Sequence, residues 1–309
     1  MAQDCASVEM TTSVDKRNVI PVEIAGPVPA RGDRSLGTIL IQAGRLTLED
    51  ADRVLKLHRE HNLRFGEAAI KLGLLTRADI EFALASQFDY PYLLRGQSGV
   101  SEDVITAYEP FSRQAQVIGH LRTELTLRWF DGSPGHNALA IVSAERGEGR
   151  SFFAANLAVA FAQLGQKTLL IDADMRNPIQ HVLFNLGNRS GFSAILAGRG
   201  EPDAVIQQVG GLRGLSVLPA GAVPPNPAEL LARPVFAQLL SELALEFQVL
   251  LLDSAPAAEY ADATAVARRC GAALLIASKD TSRVSRMRAV SASLAEARAT
   301  IVGAVLNNF

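Results

Sequence analysis

Apolar residues recur along this chain in two rhythms, and the change of rhythm divides it. Over residues 1–32 no period is sustained, and Pro21, Pro27 and Pro29 interrupt a polar stretch, which reads as a flexible arm. Over 33–92 the apolar spacing is helical and the pattern occurs twice. Ser35-Leu36-Gly37-x-x-Leu40-Ile41-x-x-Gly44-x-Leu46 returns 29 positions later as Arg64-Phe65-Gly66-x-x-Ala69-Ile70-x-x-Gly73-x-Leu75. Each copy runs on into a second apolar stripe, through Ala51, Val54 and Leu55 or through Ile80, Ala83 and Leu84. A helix-turn-helix unit used twice is predicted. Residues 93–109, with Arg95-Gly96-Gln97-Ser98-Gly99, read as a linker. Next, Val117, Leu121, Leu125 and Trp129 recur every fourth position and predict a helix over 114–130 with that stripe on the core.

From Ala138 short continuous apolar runs alternate with helical stretches. Strands are predicted near 138–143, 167–171, 215–218, 248–252, 272–276 and 301–306. Such alternation implies a mainly parallel sheet covered by helices on both faces. The fold class is therefore α/β, a parallel-sheet domain over 110–309 preceded by a small, mostly helical domain.

Candidate chemistry lies at the strand ends. Between the run 138–143 and the helix opening near Phe152 stands Ala144-Glu145-Arg146-Gly147-Glu148-Gly149-Arg150-Ser151. Strand, glycine-bearing loop and helix make a phosphate cradle, because Gly147 and Gly149 let several backbone N–H groups face one anion at a helix N-terminus. Against the P-loop pattern G-x-x-x-x-G-K-[ST], Ala144 replaces the first glycine and Arg150 the lysine, while Ser151 is kept. Arginine is the larger change, since guanidinium is broad, planar and forked where ammonium is a compact point charge. Gly147, Glu148, Gly149, Arg150, Ser151 and Phe152 are the candidate nucleotide-binding stretch. Two further runs end in Asp172-Ala173-Asp174 and in Asp253. At the C-terminal ends of parallel strands these carboxylates converge on the loop and, with Ser151, form a candidate magnesium site of oxygen ligands. Each Asp alone could equally be a helix N-cap.

Taken in order, Ser143-Ala144, Gly147-Glu148-Gly149-x-Ser151, Ala154-Ala155-Asn156-Leu157-Ala158, Leu169-Leu170-Ile171-Asp172-Ala173-Asp174-Met175-Arg176-x-Pro178 and His181 resemble one family. So do Leu218-Pro219-Ala220-Gly221, Pro224-Pro225-Asn226-Pro227-Ala228-Glu229-Leu230-Leu231, Asp253, Pro256 and Asp262. It is the bacterial tyrosine kinases of the polysaccharide co-polymerase system, the EpsG/CpsD-like chain-length-determinant kinases, and the resemblance covers about 110–309. It implies ATP or ADP with Mg2+ as cofactors. Asp172 would activate an acceptor or order metal-bound water, Asp174 and Asp253 would position magnesium with Ser151, and Arg150 stands at the catalytic lysine. It also implies a role in exopolysaccharide synthesis or export with a membrane co-polymerase as partner. In the family's self-association motif E-x-x-R-x-x-R, Gln116, Gly119 and Arg122 stand here, so only the last position of a homo-oligomer contact is kept. Tyr90, Tyr92, Tyr108 and Tyr260 do not form the family's C-terminal tyrosine cluster, so a phosphate acceptor would be another protein, water or an atypical tyrosine.

The repeat in turn resembles the N-terminal domain of type II secretion ATPases, including the MshEN modules that bind cyclic di-GMP. There two copies of R-L-G-x-x-L-V-x-x-G-x-L-x-x-x-x-L-x-x-A-L-x-x-Q are separated by five residues. Transferred position by position, the resemblance implies cyclic di-GMP at Arg34, Leu36, Gly37, Gly44, His58, Arg64, Gly66, Gly73 and Gln87. The first copy departs at Ser35 and at His58. The alternative is a helical adaptor whose glycines only turn and cap helices.

Composition narrows the setting. With 48% apolar and 20% charged residues, the 309-residue chain can bury a full core, and a net charge of −2 gives no general attraction to nucleic acid or anionic membrane. Cys5 and Cys270 lack zinc or disulfide spacing and read as inert thiols. No apolar run approaches a membrane span and no signal peptide is evident, so a cytoplasmic chain is expected, recruited to the inner face of the membrane by its partner. The exposed-looking Arg283, Arg286 and Arg288 read as a solvated helix face. Three functions remain open: an ATP-dependent tyrosine kinase, a nucleotide-binding scaffold with weak or no catalysis, and a ParA/MinD-type ATPase. Glu145 stands where the third class carries a lysine.

Overall fold

The computed structural model describes residues 35–88 and 90–308. The expected arm over 1–32, with Cys5, and also Arg34 lie outside the described residues. The chain begins with helices α1 (Leu36–Gln42), α2 (Leu48–His61), α3 (Phe65–Lys71) and α4 (Arg77–Gln87). Side-chain oxygens of Ser35, Thr47 and Thr76 cap α1, α2 and α4 by accepting the N–H three residues on, which satisfies a donor that a helix start leaves open. The duplication is visible in the backbone: Gly44 and Gly73 turn each helix pair at φ of 66° and 67°. Helix α1 packs on α4 and α2 on α3, so the copies interlock. Together they bury Leu40, Leu46, Val54, Ala69, Leu75 and Ala83 in one small core. Leu55, expected in the first stripe, is exposed.

Residues 93–109, expected as a linker, are instead packed. Leu93, Val100 and Val104, with Ala107 and Tyr108 of the short helix α5 (Ile105–Tyr108), belong to the larger core. Polar side chains on and just past the helix that follows the glycine-bearing loop fasten this segment. Asn156 Oδ1 accepts from the Thr106 N–H (2.9 Å), and Gln163 Nε2 donates to the carbonyls of Pro91 (3.0 Å) and Thr106 (2.9 Å). Helix α6 (Arg113–Arg128) is as expected in extent but not in its buried face. Ala115, Ile118, Leu125 and Trp129 are buried, whereas Val117 is exposed. Steps of four residues drift about 40° each around a helix of 3.6 residues per turn, so a strict every-fourth stripe leaves the core at its far end.

Strands and intervening helices alternate through the main domain: β1 (Ala138–Ser143), α7 (Arg150–Ala162), β2 (Thr168–Asp172), α8 (Gln180–Leu183), α9 (Phe192–Leu196) and α10 (Pro202–Val205) come first. After them come β3 (Gln207–Gln208), a two-residue strand not foreseen, β4 (Leu215–Leu218), α11 (Pro227–Ala232), α12 (Pro234–Glu246), β5 (Val249–Asp253), α13 (Asp262–Cys270), β6 (Ala272–Ser278), α14 (Val284–Glu296) and β7 (Thr300–Asn307). Among the described residues the sheet order is β3-β4-β2-β5-β1-β6-β7, parallel throughout except for β3 against β4. Alternation along each strand feeds two layers. Leu139, Ile141 and Leu251 face α6 and α7, while Ala140, Val142 and Leu252 face α12, α13 and α14. Cys270 is buried, and burial pushes its thiol pKa up. Arg283, Arg286 and Arg288 are exposed at the start of α14. No helix among the described residues is long and apolar enough to cross a membrane.

This topology positions the site. Strands β2, β5 and β1 lie side by side, with Asp172 opposite Asp253 and Asp253 opposite Ile141. The loops that leave β1 and β2 must therefore meet the last residue of β5 at one end of the sheet.

Candidate functional site

The loop after β1 has the backbone that its glycines imply. Gly147 and Gly149 adopt φ of 82° and 81°, and α7 starts at the next residue. No atom lies within 4 Å of where a Cβ on Gly147 would stand, so conformation rather than room demands glycine there. The loop is anchored from within. The buried Glu148 carboxylate accepts the Glu145 N–H (2.8 Å) and the Ser282 hydroxyl, and Asn307 Nδ2 donates to the Glu148 carbonyl (3.3 Å). Glu148, expected among the nucleotide-binding residues, thus uses its side chain to hold the loop. A cavity of about 290 Å³ opens in front, lined by 146–152 together with Asp174, Asn177, Ile179 and Pro256. Ser151 and Phe152 lie on its wall.

Arg150 does not point its charge freely into that cavity. Its side chain is 7% exposed. Nε donates to Asp253 Oδ1 (3.0 Å), Nη2 to Asp174 Oδ2 (3.2 Å) and Nη1 to Ser143 Oγ (2.8 Å). The planar fork bridges two carboxylates and a hydroxyl at once, which an ammonium group cannot do in one plane. The remaining carboxylate oxygens have donors of their own. Asp253 Oδ2 accepts from Gln180 Nε2 (2.8 Å), and Asp174 Oδ1 accepts the N–H groups of Arg176 (3.2 Å) and Asn177 (3.0 Å). Gln180 Nε2 also reaches the Ser151 carbonyl (3.0 Å), tying β5 to the first turn of α7.

Asp172 is fully buried. Its Oδ2 accepts the N–H groups of Ile179 (3.0 Å) and Gln180 (2.9 Å), so it organises the entry into α8, while Oδ1 is buried without a partner. Burial, reinforced by the neighbouring Asp253 charge, pushes its pKa well above the usual carboxylate value. Burial also raises Asp174, against the pull of the Asn177 N–H and Arg150. A carboxyl shifted toward its neutral acid is a poor proton acceptor, which bears on the acceptor-activating role expected of Asp172. The expected magnesium ligands Asp174 and Asp253 are brought together, but by a guanidinium. Among the described residues no group of three or more His, Cys, Asp or Glu side chains is arranged to hold a metal ion. With the positive guanidinium of Arg150 bonded to both, these carboxylates do not fit magnesium in this arrangement.

Beside the site, Arg176 forms a forked pair with Asp262 (2.7 and 3.2 Å) and lies 3.9 Å over the Tyr260 ring, fixing the loop after β2 to α13. Sequence reasoning misses Ser143 and Gln180 as site residues. Ser143 enters only as a strand end and part of the motif that carries the resemblance, with no site role, and nothing in the spacing distinguishes Gln180 from its neighbours.

The residues expected to take cyclic di-GMP are distributed over the repeat. Leu36 packs partly on its core, a Cβ on Gly37 would stand 3.5 Å from the Phe65 ring, and one on Gly66 would stand 3.0 Å from Ile80. Gly44 and Gly73 are turn residues. His58 hydrogen-bonds through Nδ1 to the Leu63 carbonyl, Arg64 is exposed, and Gln87 closes α4 half-buried.

The fold and the sequence agree with known proteins. A family model described as "Cellulose biosynthesis protein BcsQ" matches residues 137–302. The chain is 36% identical over 170 residues to the putative tyrosine-protein kinase CapB of Staphylococcus aureus, a match covering 55% of this chain and 74% of that protein. It is 32% identical over 210 residues to the tyrosine-protein kinase YwqD of Bacillus subtilis (strain 168), covering 68% and 87%. The chain belongs to this family of bacterial P-loop tyrosine-protein kinases. Among solved structures, the kinase domain of the Escherichia coli tyrosine kinase ETK aligns with a TM-score of 0.64 at 32% identity, over 72% of this chain and 86% of that one. The family's α/β architecture is thus shared, and the matched region 137–302 holds the P-loop and all three aspartates.

Proposed function

We propose that this family member binds a nucleotide through residues 147–152 and serves exopolysaccharide synthesis or export as a regulatory scaffold, with phosphoryl transfer weak or absent. The observation that carries this reading is the three-way engagement of buried Arg150. To reach a transferred phosphoryl group, its guanidinium would have to leave charge-assisted hydrogen bonds worth about 1.5–3 kcal/mol each and strand two buried carboxylates. Phosphoryl transfer depends on positive charge placed where charge develops, so this commitment removes a main source of rate. Binding does not suffer equally, because the backbone amides of the cradle and the N-terminus of α7 act independently of that side chain. The raised pKa of Asp172 points the same way.

A membrane polysaccharide co-polymerase is the proposed partner, engaging a cytoplasmic chain in trans. The surviving arginine of the self-association motif, Arg122, donates to the Ala160 carbonyl (2.9 Å), which favours a packing role over ring assembly. The test is calorimetric titration with ATP beside a phosphate-transfer assay on wild type and Arg150→Lys. Binding by both, with turnover rising at least tenfold in the lysine variant, is expected. Family-level transfer by the wild type would reject the scaffold reading.

A second reading concerns the repeat as a cyclic di-GMP module. It is favoured by the matched turns, with open space around Gly44 and Gly73, and by the exposure of Arg64 at the start of α3. Arg64→Ala should then weaken cyclic di-GMP binding, and equal affinity in both proteins would dismiss the site.

A further inference from the structure

We infer that Arg150 is a built-in cation standing in place of a divalent metal, so that this crevice binds nucleoside di- or triphosphate without magnesium, with Arg146 meeting the phosphates. The inference rests on the nucleotide-binding reading above. A magnesium ion needs carboxylate oxygens free of a competing cation, and the Arg150 guanidinium already bonds to both Asp174 and Asp253. Both oxygens of Asp253 and both of Asp174 have donors, and on each residue one of those donors is Arg150. Asp172 Oδ1 is the one unpartnered oxygen of the three carboxylates, and Asp172 is fully buried behind the crevice wall. One buried oxygen and the Ser151 hydroxyl do not make a metal site.

Guanidinium cannot be deprotonated in a protein, so its positive charge between Asp174 and Asp253 is permanent, where a bound ion's would follow its concentration. The ligand still needs a cation on its phosphates. Arg146 supplies one: it lies on the cavity wall, is exposed, and has no hydrogen bond or ion pair among the described residues. Two arginines thereby divide what a lysine and a metal do together in a conventional loop. Arg150 pairs with the carboxylates behind the cradle, and Arg146 faces the ligand. The physiological consequence is a nucleotide sensor that is indifferent to free magnesium.

The test is titration of the full chain with ADP and with ATP, in excess magnesium and in EDTA. For the wild type the two dissociation constants should agree within about threefold. Arg150→Lys should restore metal dependence, with binding about tenfold or more weaker in EDTA, and Arg146→Ala should weaken binding about tenfold in both buffers. Nucleotide binding by the wild type that is lost in EDTA overturns the inference and leaves the nucleotide-binding reading standing. No binding of either nucleotide in either buffer overturns both. The wild-type comparison needs no variant to fold, so it decides the matter by itself.

Discussion

The P-loop crevice and the helical repeat are both marked by glycine spacing, and both have the backbone that spacing implies. Gly147 and Gly149 lie at φ of 82° and 81°, Gly44 and Gly73 at 66° and 67°. Their surroundings are opposite. Behind the crevice loop stand Glu148, Arg150, Asp172, Asp174 and Asp253, all buried and nearly all paired. Around the repeat's turns the charged side chains are exposed or only partly buried, as in the pair of Arg45 with Asp79, where Arg45 lies 4.9 Å over the Phe82 ring. A glycine pattern therefore reports the path of the backbone, and only the groups packed behind it report chemistry. Buried charge costs several kcal/mol unless paired, so a cluster of it is held by specific partners.

The sharpest way to break this contrast is to remove one arginine from each region. Arg150→Ala leaves two buried carboxylates uncompensated and should cost about 3–5 kcal/mol of stability at neutral pH. Arg64→Ala, at an exposed position, should stay within about 0.5 kcal/mol. Urea unfolding of both measures the difference. The Arg150 deficit should shrink as pH falls, because unpaired carboxylates then take up protons. Equal, small effects would mean that the crevice carboxylates do not depend on Arg150.

Much of this is legible in the sequence because it is local. The alternation of apolar runs with helical stretches marks six strands to within a residue or two at most ends, and the loop and three aspartates can be placed at strand ends. The replacement of lysine by Arg150 is also visible, but its orientation is not. Its partner Asp253 is 103 positions away, and only strand order brings the two together. Gln180 escapes for the same reason. Residues 93–109 mislead because glycine and polar residues at 95–99 resemble a tether, while Leu93, Val104 and Tyr108 at its ends pack into the core. In the repeat the duplication is plain, yet the packing of α1 on α4 and α2 on α3 follows from no single spacing.

A smaller effect probes the repeat alone. Gly44→Ala and Gly73→Ala each force a side chain into the left-handed region with nothing nearby to clash, so each should cost about 1–2 kcal/mol through backbone strain only. Near-equal losses in chemical denaturation are expected if the duplication is energetic as well as geometric. A loss at one glycine with none at the other would show that the copies have diverged in stability as they have in sequence.

The smallest effect contrasts two aspartates and should change sign between the regions. Asp172 has a raised pKa in the folded protein, so the fold retains a proton that the unfolded chain releases near the ordinary value of 3.8. Stability is then lost as pH rises from there through the raised value. Asp172→Asn keeps an acceptor for the N–H groups of Ile179 and Gln180 and cannot ionise. It should flatten this slope and gain on the order of 1 kcal/mol at pH 8. Asp79 behaves oppositely. Burial pushes its carboxyl up, but the Thr76 hydroxyl and N–H and Arg45 outweigh burial and hold it below the ordinary value. Its contribution is present above about pH 4 and lost as pH falls through the lowered value, so Asp79→Asn should cost stability at neutral pH, by less than about 1 kcal/mol at a partly buried, solvent-screened site. Melting curves of both variants at pH 4 and pH 8 would decide. Shifts of the same sign at pH 8 would mean that burial among carboxylates is not what separates the crevice from the repeat.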